Sequence, residues 1–155
     1  MSEVMDVRAI LETGMRFDVE TGSEHHITLD ASQRDGGQNT GPRPIEMILV
    51  GLAGCTGMDV ISILRKKRQQ VTEYEIKVHG IRAGQHPMVF TNITVEHIVT
   101  GYHVQPEAVA RAIELSETRY CSVGATISGV SQITNTFRII EAQAKATDTL
   151  TVTTS

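Results

Sequence analysis

An almost unbroken apolar run from Met47 to Leu64 dictates much of what this chain can become. Pro44 precedes it, at a place where a helix tolerates a residue without an N–H. Glu46 sets a negative charge at the positive end of the helix dipole, and Arg65, Lys66, Lys67 and Arg68 close the run with the opposite sign. Apolar residues occupy nearly every side between these limits. The expectation is a long central helix, buried all round. Gly51, Gly54 and Gly57 recur at every third position inside it. Each costs about 0.5–1 kcal/mol relative to alanine. Two explanations stand level: close packing on a sheet, or close contact with a helix of a second subunit.

Alternating segments surround the run. Residues 4–10 and 13–18 read as strands about the turn Glu12-Thr13-Gly14, and residues 26–30 as a third. Residues 31–42 form a polar loop with Gly36, Gly37, Gly41 and Pro42. Residues 74–81 and 89–99 alternate over longer stretches and form a hairpin-like pair. Gln105-Pro106-Glu107 opens a helix to about Tyr120, a new turn or short helix starts at Cys121, and residues 133–140 supply a last strand. The pattern is α+β with a mainly antiparallel sheet. A single domain is expected over residues 1–140, followed by a mobile Ala- and Thr-rich tail, 141–155.

Composition removes several functions. A net charge of −4, no Trp, three Phe and three Tyr speak against nucleic acid as a partner. The four basic residues at 65–68 read as a solvated helix end. Residues 1–20 lack the apolar core of a secretory signal, and no stretch is expected to reach the length of a membrane span. The chain reads as cytoplasmic, with no membrane partner, where a lasting disulfide is unusual. His25-His26 is the only close histidine pair, and adjacent strand residues face opposite ways. His79, His86, His97 and His103 show no ligand spacing, so neither a metal nor a cofactor is expected.

That leaves two cysteines, 66 positions apart. Cys55 lies inside the apolar run, with Asp59 one turn further along the same face. It is a packing residue unless a cation or hydrogen-bond donors stand beside it. Cys121 follows Arg119-Tyr120, and a helix starting just after it favours its thiolate. A small residue closing the preceding helix is the plain alternative.

The segments Pro-Ile-Glu-Met (44–47), Gly-Leu-Ala-Gly-Cys-Thr-Gly-Met-Asp-Val (51–60) and Tyr-Cys-Ser-Val (120–123) resemble the two cysteine motifs of the OsmC/Ohr family, in its OsmC-like subgroup. The likeness extends over roughly residues 4–140. It implies a mainly antiparallel sheet packed on a long central helix, in an intertwined homodimer with active sites at the subunit interface. It further implies a thiol-dependent peroxidase acting on organic hydroperoxides or hydrogen peroxide. Cys55 matches the peroxidatic cysteine, Cys121 the resolving one and Glu46 the active-site glutamate. Arg34 is placed to stabilise the thiolate, with Arg16 as the alternative arginine. An external dithiol is the implied reductant. Ile48, Leu52, Met58 and Met88 are candidates for apolar walls around a hydrophobic peroxide.

Helix geometry adds an independent point. If residues 44–55 are all helical, Glu46 lies about 180° around the helix from Cys55. Either the first turn is not helical, or Glu46 serves the thiol of a second subunit. The competing reading is an inactive OsmC-like dimer that binds a hydrophobic small molecule or has a structural role.

Overall fold

The apolar run does fold as one helix, α1, Glu46–Lys66. The structure, a computed structural model, describes residues 2–144. The chain forms two compact units, one up to Leu52 and the other from Ala53 on.

In the first unit, β1 (Val7–Thr13), β2 (Arg16–Thr21) and β3 (His26–Leu29) form an antiparallel sheet in that order. Leu11 pairs with Phe17 and Val19 with Ile27. The first turn falls at Gly14, whose φ of 54° is left-handed and natural to glycine. The strands around it therefore lie about three residues later than the alternation predicted.

The loop after β3 is organised by Asp30, which is 3% exposed. Its carboxylate accepts the N–H groups of Ala31, Gln38 and Thr40 and the Thr40 hydroxyl. Those donors, Thr40 first, hold its pKa down at about 2 against burial. A turn of 3-10 helix, Gln33–Asp35, sits inside the loop, with Ser32 as its cap. Gly37 is required there, since a Cβ would stand 2.2 Å from the Ala31 carbonyl oxygen.

In the second unit, β4 (Gln70–Arg82) and β5 (Phe90–Tyr102) form the expected antiparallel pair, each longer than predicted. The final strand, β6 (Gln132–Glu141), lies parallel to β5, so this sheet is mixed. The link from β5 to β6 carries α2 (Pro106–Leu115), a π turn (Ser116–Tyr120) and α3 (Ser122–Ile127). The helix predicted to reach Tyr120 therefore ends five residues early, where its hydrogen bonds widen. Val60 and Leu64 of α1 pack with Val99, Val104, Val109 and Ile113 in the core. Gly57 lets α1 approach β4, because a Cβ there would stand 2.6 Å from Ile76 Cδ1.

A buried polar rung crosses the same sheet. Tyr74 on β4 donates to His97 Nδ1 at 2.6 Å, and His97 Nε2 donates to Asn135 Oδ1 on β6 at 3.0 Å. Burial pushes the His97 pKa below and that of Tyr74 above the ordinary range.

Two expectations about α1 need correction. It is not buried all round: Val50 is 55% and Met58 73% exposed, because a single chain covers only one face. It also meets the length and composition of a membrane span, with a mean hydropathy of 2.0. Asp59 is the single charge between Glu46 and Arg65, and the isoleucines, leucines and valines of the run keep the average high. The buried Leu52, Val60 and Leu64 on one face of it make it a core helix as well. Residues 142–144 follow β6 without regular structure, and the rest of the expected tail lies outside the described residues.

Candidate functional site: a thiol pair beside a carboxylate

Cys55 and Asp59 are four residues apart on α1, which puts both side chains on one face. Cys121 arrives from the link between β5 and β6. The two sulfurs and a carboxylate oxygen of Asp59 all lie within 4.8 Å of one another. Both thiols are free, Cys55 half-buried and Cys121 buried.

The π turn is what delivers Cys121. Its N–H donates to the Ser116 carbonyl at 2.8 Å, five residues back, which broadens the last turn of the α2 segment. Ser116 itself is completely buried. Its hydroxyl donates to Asp59 Oδ2 at 2.9 Å and stands 3.2 Å from the Thr56 hydroxyl. One serine thus ties the turn that carries Cys121 to the helix that carries Cys55.

A helix does begin directly after Cys121, and its sulfur caps that helix by accepting the Gly124 N–H at 3.2 Å. The expected thiolate does not follow. Burial pushes the Cys121 pKa up to about 11, the Gly124 N–H opposes it, and Cys55 and Asp59 add to the rise. One donor at a six-residue helix is too little against desolvation and two neighbouring acids.

A cavity of about 360 Å³ opens beside Asp59, bounded by Ile63 and Leu115, by Tyr120, and by Lys66 and Lys67. Of the other predicted residues, Met58 and Met88 lie in the second unit, whereas Glu46, Arg34, Arg16, Ile48 and Leu52 lie in the first. Glu46 is the first residue of α1, preceded by the turn at Pro44 and Ile45. Its carboxylate accepts the Arg43 N–H at 2.8 Å, a capping contact. Arg34 is exposed in the 3-10 turn of the Asp30 loop. Arg16 pairs with Glu12 at 2.6 Å across the first hairpin.

Sequence reasoning missed Ser116 and Thr56. The signal for Ser116 was present: it continues the buried face of Val109, Ala112 and Ile113, where a hydroxyl requires a buried partner.

Residues 36–136 match the family described as OsmC-like protein. The chain is 37% identical to Protein YhfA of Escherichia coli strain K12 over 138 residues, 89% of this chain and all of that one. It superposes on a hypothetical protein from Aquifex aeolicus VF5 with a TM-score of 0.81 at 29% identity, covering 92% of this chain and 100% of the other. An organic hydroperoxide resistance protein OsmC from Legionella pneumophila shares the fold, with a TM-score of 0.66 at 13% identity over 87% and 96% of the two chains. The paired cysteine segments, the α+β architecture with its long central helix, and a family match across more than half of the sequence converge, and the chain belongs to the OsmC-like family.

Proposed function

We propose that the protein is a two-cysteine peroxidase reducing organic hydroperoxides or hydrogen peroxide. The observation that carries this reading is the meeting of Cys55 and Cys121 within 4.8 Å, both as free thiols. A small closing movement brings two such sulfurs to the roughly 2.05 Å of a disulfide bond. Family membership and the hydroperoxide resistance protein that shares the fold support the same class of chemistry.

The residues divide the work by exposure. Cys55 is the more accessible sulfur and attacks the peroxide as a thiolate, with its proton passing to the alcohol or water that leaves. The product at Cys55 is a sulfenic acid. Cys121 suits the second step, since a thiol held protonated does not compete for peroxide. It condenses with the sulfenic acid, forming the disulfide and releasing water. An external dithiol then reduces the disulfide and becomes a disulfide itself, restoring both thiols. Such a cycle needs a reducing compartment, here the cytoplasm.

The same reading makes the protein a homodimer. Val50, Gly54 and Met58 follow one another at four-residue intervals along α1, with Val50 and Met58 exposed and nothing within 4 Å of a Cβ at Gly54. A second subunit covers that stripe. Glu46 and Arg34 are assigned to the completed site of the dimer, Arg34 holding the thiolate and Glu46 orienting the guanidinium.

The test is titration of the reduced protein with cumene hydroperoxide, counting thiols and mapping disulfides by mass spectrometry. Two thiols are lost per chain, with a Cys55–Cys121 link, and Cys55→Ser abolishes the loss. Arg34→Ala and Glu46→Gln slow it by about 10²-fold or more. Thiols that survive excess peroxide would replace this reading with a dimer that binds an apolar ligand or serves a structural role.

A further inference from the structure

We propose that the reduced Cys55–Asp59–Cys121 cluster is a Zn²⁺ site, in which metal occupancy and disulfide formation exclude each other. The binding itself stands on geometry; only its effect on turnover rests on the peroxidase reading above.

Ligand type and spacing both fit. Two thiolates and a carboxylate form a donor set that Zn²⁺ accepts, and three protein ligands leave a fourth position open for water. In a tetrahedral site with Zn–S bonds of about 2.3 Å, two sulfurs lie about 3.8 Å apart. The three donor atoms already lie within 4.8 Å of one another, so each moves by a fraction of its own diameter to close on the ion. Cys55 and Asp59 present their donors from successive turns of one helix. Cys121 supplies the third from a different element, held by the capping contact with Gly124.

The surroundings supply what a metal site needs beyond its ligands. Asp59 is oriented by Ser116, whose hydroxyl donates to its Oδ2 and fixes the carboxylate from outside the cluster. The cavity beside Asp59 gives an ion a way in. Three groups that become anions at this spacing repel one another once ionised, and a divalent cation between them converts repulsion into ligation. Zinc with two thiolates and one carboxylate keeps one net negative charge. Lys66 and Lys67, lining the same cavity, balance it.

Binding releases the two thiol protons, and no electron moves. The Cys55 lone pair that attacks peroxide and the Cys121 lone pair that closes the disulfide are then both committed to the metal. Oxidation to the disulfide, conversely, removes two of the three ligands.

The experiment uses reduced, metal-free wild-type protein and Co²⁺ as a spectroscopic stand-in. One equivalent per chain raises a thiolate-to-cobalt charge-transfer band, and Zn²⁺ bleaches it. Zinc titrated against a chromogenic chelator binds one per chain and protects both cysteines from alkylation. Protein oxidised with diamide loses the site. Asp59→Asn lowers the zinc affinity at least about tenfold, and Cys55→Ser or Cys121→Ser lowers it further. Cobalt bound without the charge-transfer band, zinc retained after diamide, or no stoichiometric binding would overturn the inference. The wild-type spectra decide it even if a variant misfolds. Metal-free protein that consumes peroxide but binds no zinc removes this inference alone; protein that binds zinc but spares peroxide removes the peroxidase reading alone.

Discussion

Cys121 is held as a neutral thiol by its surroundings: little water, a sulfur neighbour and the Asp59 carboxylate. The pH consequence has a definite sign. A raised pKa means the thiolate appears only as the pH climbs toward about 11, so alkylation of Cys121 rises about tenfold per pH unit below that value. Asp59→Asn removes one of the charges that oppose ionisation and shifts this onset to lower pH. Iodoacetamide kinetics resolved by peptide mass spectrometry measure both, and an onset near the ordinary thiol range would contradict the environment described. At this scale the sequence was legible where chemistry is local. Cys55, Asp59 and Cys121 stand out because unusual residues interrupt apolar or turn-like segments. His97 did not stand out, because its partners Tyr74 and Asn135 are 23 and 38 positions away and only strand register brings them together.

The helix α1 shows which features of an element can be read in advance. Its ends were legible, since charge and proline mark them, and its buried face follows the four-residue spacing of Leu52, Thr56, Val60 and Leu64. Leu64 is fully buried in the cluster with Val99 and Val109. Leu64→Ala is expected to cost about 2–5 kcal/mol of stability, read as a lower urea midpoint with little change in slope. The π turn was not legible. No residue type specifies a widened turn, and Ser116 is drawn into it by a hydroxyl contact with Asp59, a residue 57 positions away. The left-handed turn at Gly14 was legible as a turn but not in its exact place, because strand pairing decides where alternation stops.

For the whole molecule, the stripe of Val50, Gly54 and Met58 carries the dimer expectation. Met58→Glu puts a charge on that stripe and is expected to convert the dimer to monomer at micromolar concentration, measured by light scattering or sedimentation. A wild-type mass equal to one chain would remove the premise. The strand β6 was legible but its parallel direction was not, because alternation reports which face is buried and says nothing of direction. That strand has a consequence for how the protein is made. Parallel pairing to β5 is a long-range closure, and Cys121 lies in the segment it closes. Such pairings are slow to form and need the distant strand to be available. A ribosome must therefore release β6 before the segment that carries Cys121 is closed at both ends.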